Sequence, residues 1–183
     1  MARFSDFPQY SERYDRAVQF ALSAHRYQQR KHRDLPYILH PQAVASYVWL
    51  QGGSESEAIA GWLHDYAEDV APSIEAGLHT LEVEFGAEVA AIVRGCTECD
   101  RTGSWKERKQ RYIQQVASSS DSVLRVSLAD KYDNFANGYL SLGKSRPELI
   151  WFGSTLAEIY QQRLQESWLT RQFAAVVERL KLL

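Results

Sequence analysis

"GWLHDYAEDV", residues 61–70, sets one imidazole and three carboxylates (His64, Asp65, Glu68 and Asp69) into a stretch whose other residues read as the inside of a helix. Residues four apart on a helix share a face. The spacing therefore stacks His64 over Glu68 and Asp65 over Asp69, as two adjacent columns of acid–base groups along one groove. The apolar neighbours Ile59, Ala60, Trp62 and Leu63 predict that this groove is partly buried. Carboxylates and imidazoles taken out of water need partners, and a divalent cation satisfies several of them at once.

Working outward, Ser54 followed by Glu57 is a capping box, so a helix starts there. Pro72 ends it, because the residue before a proline resists helical geometry. Upstream, PYILHP (36–41) places Pro41 in the first turn of another helix and leaves His40 near its cap. That helix runs through AVASYVWL and stops at Gly52-Gly53. Before it, Tyr14, Val18, Ala21, Leu22 and His25 recur at helical spacing, and QQRKHRDL (28–35) is a polar loop.

Downstream, 80–94 reads as helix, bent or split at Gly86. CTECDRTGS (96–104) is a loop, KERKQRYIQQVA (106–117) a short basic amphipathic helix, and SSSD (118–121) a linker. Residues 122–139 are helical, with Val123, Val126, Leu128 and Ala129 toward the core and Gly138 weakening the end. The span 147–183 carries apolar residues at helical spacing and accommodates two helices. No strand-like alternation of useful length, repeat or low-complexity tract is present. The expected architecture is one all-α domain over 1–183, with a short β-hairpin at 97–104 as the exception.

Composition narrows the function. A chain of 183 residues with 45% hydrophobic content has enough for one core and too little for two comfortable domains. Its 21 basic and 23 acidic side chains give a net charge of −2, which argues against a nucleic-acid binder and leaves room for a small anionic ligand in a local basic pocket. No signal peptide is evident and no run approaches the ~18 apolar residues of a membrane span, so a cytoplasmic protein is expected. Cys96 and Cys99 cannot form a disulfide framework, and a structural zinc site needs two more ligands than they supply. They read as small loop residues in a reducing compartment. Trp151 and Phe152 mark a candidate surface for a homo-oligomer.

Two further segments complete the cluster begun at His64. His40 stands at the start of its helix, where a side chain can reach a shared cavity. Asp130 lies in the apolar SLADKYDN (127–134), with Asn134 one turn later on its face. Each of these groups alone is ordinary: a capping histidine, a salt-bridged aspartate, a solvated acidic face. Together, PYI-x-HP, H-D-x-x-E-D and L-A-D-K-x-x-N are far more specific. Two imidazoles and two carboxylates suit Mn²⁺, Fe²⁺ or Zn²⁺, without an order among them.

At these residues the chain resembles the HD-type hydrolase domain of the RelA/SpoT family, and among its members the small stand-alone alarmone hydrolases. The matching stretches are AHRYQQRK (24–31), PYILHP (36–41), WLHDYAED (62–69), EFGAEVAAIVRGCTE (84–98), ERKQRYI (107–113) and SLADKYDN (127–134), with a weaker echo in STLAEIY (154–160). The resemblance implies an HD-domain helical bundle and a Mn²⁺-dependent removal of the 3′-pyrophosphate from ppGpp or pppGpp, leaving GDP or GTP. It implies His40, His64, Asp65 and Asp130 as metal ligands, with Glu68 and Asp69 holding and activating the attacking water. Arg30 and Lys31 would line the nucleotide pocket, and Asn134 would meet the ribose-phosphate. His25, a family position, reads as a packing or hydrogen-bonding residue.

The substrate's charge makes Lys106, Arg108 and Lys109 phosphate partners too, although a solvated basic helix face would look the same. Three departures stand out. Asp34-Leu35 replace a glycine before PYI-x-HP, Tyr66 replaces a smaller residue after H-D, and only Lys144 and Arg146 remain where relatives are rich in arginine. Because fold and metal site fix chemistry better than substrate, hydrolysis of another nucleotide such as NADPH stays open. A catalytically silent nucleotide-binding protein is the remaining alternative, against which the intact H-D-x-x-E-D argues.

Overall fold

The computed structural model describes residues 10–30, 34–137, 145–164 and 167–182. They form α1 (Glu12–Ala24), α2 (Leu39–Leu50), α3 (Glu55–Leu63), α4 (Tyr66–Asp69), α5 (Ile74–Phe85), α6 (Ala87–Cys96), α7 (Trp105–Ser118), α8 (Asp121–Asn137), α9 (Arg146–Leu164) and α10 (Trp168–Leu182). The helix starts follow local chemistry. The Ser54 hydroxyl accepts from the Glu57 amide at 3.2 Å, and the Glu57 carboxylate accepts from the Ser54 amide at 2.8 Å, as the capping box predicts. Ser104 and Glu107 cap α7 in the same reciprocal way. Among the described residues no helix is long and apolar enough to cross a membrane.

α8 is the central element and packs against α2, α3, α6, α9 and α10. Its Leu124, Val126, Leu128 and Ala129 are wholly buried, so any polar side chain on its inner face is held in the core. α2 lies on α3 as closely as backbones allow: a Cβ added at Gly61 would stand 3.0 Å from Ala45 Cα. That contact brings the start of α2 against the end of α3, which is where the two histidines sit.

Five expectations need correction. The expected helix over 54–70 breaks after Leu63. His64 Nδ1 sits 2.8 Å from the Gly61 carbonyl, the oxygen that an unbroken helix would give to the Asp65 amide. α5 begins at Ile74, six residues before the expected 80, because Ser73 caps it through the Ala76 amide at 3.2 Å. Gly77, which weakens the helical pattern in sequence, is there for packing: a Cβ on it would meet Ala67 Cα at 2.7 Å.

The hairpin at 97–104 does not form. Asp100 takes the Thr102 amide at 2.9 Å and Ser104 is engaged in capping α7, so no ladder is available. The β pairing found among the described residues is an isolated antiparallel bridge between Gln29 and Pro36. Finally, Phe152 is fully buried beside Trp105 (5.8 Å between ring centroids), and the half-buried Trp151 packs on the core beneath Lys106. These aromatics do not form an exposed association surface. Cys96 likewise ends α6 in the core instead of lying in the loop; Cys99 is exposed and both thiols are free.

Candidate metal centre

The start of α2, the α3–α4 turn and the middle of α8 converge on one buried point. His40 Nε2 and His64 Nε2 face one another at 3.2 Å. Asp65 Oδ2 lies 3.0 Å from His64 Nε2 and 3.5 Å from His40 Nε2. Asp130 Oδ1 approaches the same two nitrogens at 3.8 and 3.2 Å. His40, His64 and Asp65 offer ligand atoms that all fall within 4.8 Å of one another. Both imidazoles and Asp130 are buried, while Asp65 keeps 22% of its side-chain surface.

The donor chemistry fits a cation. The other nitrogen of each ring is already taken: His64 Nδ1 by the Gly61 carbonyl, and His40 Nδ1 by Asp133 Oδ2 at 2.6 Å. Those acceptors leave the two Nε2 lone pairs pointing at each other between two carboxylates, and only a proton or a metal ion can stand there. In the metal-free arrangement the proton fills that role. Burial pulls the His40 pKa down, but hydrogen bonds to Asp130, Asp133 and Asp65 lift it to about 10. His64 is raised as well, by Asp65 and Asp130 against its burial. Asp65 and Asp130 are held below the carboxylate range despite their burial, the first by His64 and His40, the second by Lys131 and the histidines.

Glu68 and Asp69 sit outside this point and do not continue it as two columns. The turn at 64–65 sends Glu68 toward the 97–104 loop. There its Oε1 accepts from the Glu98 amide at 2.7 Å and its Oε2 pairs with Arg101. Burial, reinforced by the Asp65 charge, raises the Glu68 pKa. Asp69 is exposed, and its Oδ2 accepts from Gln28 Nε2 at 2.8 Å. Gln28 is in turn met by His25 Nδ1 at 2.6 Å, so the buried His25 does hydrogen-bonding and packing work, as read from the sequence.

On the opposite side, the Arg30 guanidinium pairs with Asp133 and reaches Asn134 Oδ1 at 3.1 Å; Asn134 Nδ2 reaches Asp130 Oδ1 at 2.5 Å. Lys31 lies outside the described residues, as do Gly138 and Lys144. The basic face of α7 turns toward its own neighbours. Lys109 is buried against Glu98, Arg108 lies 3.6 Å from the same carboxylate, and Lys106 covers Trp151. Tyr66 packs edge-on against Phe20, with ring centroids 4.8 Å apart, and so commits its ring to α1.

Two residues that sequence reasoning missed stand behind the ligands. Tyr37 donates its hydroxyl to Asp65 Oδ2, and Asp133 holds His40. Their signals were present: Tyr37 is three residues before His40 within PYILHP, and Asp133 one turn after Asp130.

Comparison with known proteins identifies the family. The sequence profile of the HD domain matches residues 17–138. A guanosine-3′,5′-bis(diphosphate) 3′-pyrophosphohydrolase from Aquifex aeolicus is 32% identical over 132 residues, 71% of this chain but only 18% of that protein. The Danio rerio guanosine-3′,5′-bis(diphosphate) 3′-pyrophosphohydrolase MESH1 is 34% identical over 168 residues, covering 90% of this chain and 88% of its own length. In structure, the chain superposes with a TM-score of 0.80 and 25% identity on a metazoan ortholog of SpoT that hydrolyzes ppGpp and plays a role in starvation responses, over 97% of this chain and all of that one.

Proposed function

Since this chain belongs to the HD-domain family, we propose that it is a Mn²⁺-dependent 3′-pyrophosphohydrolase of ppGpp and pppGpp, with residues 1–183 acting as one phosphohydrolase unit in the cytoplasm. The observation that carries the reading is the pair of Nε2 atoms 3.2 Å apart, each with its other nitrogen engaged, between the carboxylates of Asp65 and Asp130. Support for the substrate comes from relatives of similar length that act on this alarmone.

In this reading His40, His64, Asp65 and Asp130 hold the cation. The chemistry it supplies when bound is Lewis-acid polarisation at phosphorus and a lowered pKa for water at the site. The chain's own groups do the rest. Glu68, whose carboxyl is raised by burial and by Asp65, accepts the proton of the attacking water. Asp69, held by Gln28, orients that water. The water oxygen bonds to the phosphorus carried by the ribose O3′, the O3′–P bond breaks, and a proton returns to O3′, giving GDP or GTP and pyrophosphate. Arg30, Lys31 and Asn134 take up the nucleotide.

The test is direct. Metal-stripped protein given Mn²⁺ and ppGpp should release pyrophosphate and GDP in equal amounts, and chelation should stop it. Metal-loaded protein that turns over NADPH or a nucleoside phosphate but not ppGpp would overturn the substrate assignment.

A further inference from the structure

Asp133 lies on α8 one turn beyond Asp130, and only 4% of it is exposed. Both of its oxygens are used. Oδ2 meets His40 Nδ1 at 2.6 Å and the Arg30 guanidinium, and Oδ1 takes Asn137 Nδ2 at 2.8 Å. A carboxylate paired with a guanidinium can only accept. In the neutral His40 ring the hydrogen therefore sits on Nδ1, and Nε2 keeps the lone pair that faces His64.

The same guanidinium reaches a second ligand. Its other nitrogen donates to Asn134 Oδ1 at 3.1 Å, and the Asn134 amide donates to Asp130 Oδ1 at 2.5 Å. One arginine from the segment between α1 and α2 thus grips two consecutive side chains of α8, and each of those touches a different member of the cation-holding set. Partners of this kind fix ring orientation and ligand basicity at metal sites.

We propose that Asp133 is a positioning residue that aims His40 at the cation, and that Arg30, clamped on Asp133 and Asn134, sets cation affinity before any substrate arrives. The inference rests on the reading of His40 as a ligand. A side chain that met only the nucleotide would leave cation binding by the substrate-free protein unchanged; Arg30 does not have that independence.

Calorimetric titration of the metal-stripped full chain with Mn²⁺ alone tests this. His40→Ala should abolish measurable binding. Asp133→Ala should weaken the Kd by about 10–100-fold, the usual effect of losing an outer partner of a metal ligand. Asp133→Asn should recover part of that loss, because an amide oxygen still accepts from Nδ1. Arg30→Ala, one step further away, should weaken binding by about 3-fold or more, the low end of coupling through a hydrogen-bond network. Melts in chelator check that each variant folds, and Asp133→Asn and Arg30→Ala carry the test if Asp133→Ala does not. Wild-type affinity in the Asp133 variants, with His40→Ala inactive in binding, overturns the positioning role alone. Wild-type affinity in Arg30→Ala overturns the clamp, and wild-type affinity in His40→Ala overturns the ligand reading beneath both.

Discussion

The two halves of H-D-x-x-E-D are neighbours in sequence and have opposite surroundings. His64 and Asp65 join the inner cluster, where the Gly61 carbonyl from the last turn of α3, Tyr37 and the α8 side chains hold them. Glu68 and Asp69, three and four residues on, point at loops: Glu68 at the Glu98 amide and Arg101, Asp69 at Gln28. The break after Leu63 separates them. A continuous helix would have put all four on one wall, whereas the turn gathers the first pair with His40 and Asp130 and swings the second pair away from them, Glu68 half-buried under the 97–104 loop and Asp69 exposed. A cation site needs the convergence that the first pair makes with α2 and α8, and a proton acceptor needs to stand near that cluster without belonging to it, as Glu68 does.

The sharpest way to break this contrast is to remove one member of each half. Asp65→Ala should lose both the bound cation and pyrophosphate release. That loss should exceed the ~10–100-fold effect of an outer partner, since an anionic ligand itself is gone. Glu68→Ala should keep its cation, measured by elemental analysis, while kcat falls by about 10²–10⁴, the range of a lost general base. If both variants lost metal equally, the two halves would be one site.

How far the contrast could be read from sequence depends on how local each cause is. Ser54 with Glu57, Pro41 in its first turn and Gly52-Gly53 act within one helical turn, and the helix ends they set, the start of α3 and both ends of α2, are where the spacing put them. Which residues converge was legible as well, because three motifs each carried one or two unusual polar groups in an apolar setting. The break at His64 was not legible, since it needs the side chain's own bond to Gly61. The α5 start is itself local, a Ser73 cap directly after Pro72, but Gly77 reads as a weak point of that helix until its seat against Ala67 is known, and the burial of Phe152 depends on partners from α7 and α8. Asp133 escaped because its meaning lies in His40, 93 residues earlier.

The inner half should also show itself in stability. In the metal-free protein His40 is pulled down by burial yet lifted to about 10 by Asp130, Asp133 and Asp65, against an ordinary value near 6.5. A folded pKa above the unfolded one means that the proton stabilises the fold. That contribution is complete below about pH 6.5 and is lost as pH rises toward 10. The melting midpoint of chelated protein should therefore fall between pH 7 and pH 9. With saturating Mn²⁺ the cation replaces the proton, and the decline should flatten. Parallel slopes with and without Mn²⁺ would mean that His40 does not see the cation.

The outer half predicts the smallest effect. Asp69 is exposed and depends on one neutral donor, Gln28 Nε2, which His25 orients from behind. A single neutral hydrogen bond contributes about 0.5–1.5 kcal/mol net, so Gln28→Ala should lower kcat/KM by roughly 2–10-fold. Its Mn²⁺ affinity should match wild type, because neither Gln28 nor Asp69 touches the inner cluster, while its melting midpoint should fall equally with and without Mn²⁺, because the buried His25 Nδ1 loses its partner. A loss of cation binding in Gln28→Ala would show the rim transmitting strain through α4 to Asp65, and the boundary between the two halves would then lie beyond Asp69 and not at the turn after Leu63.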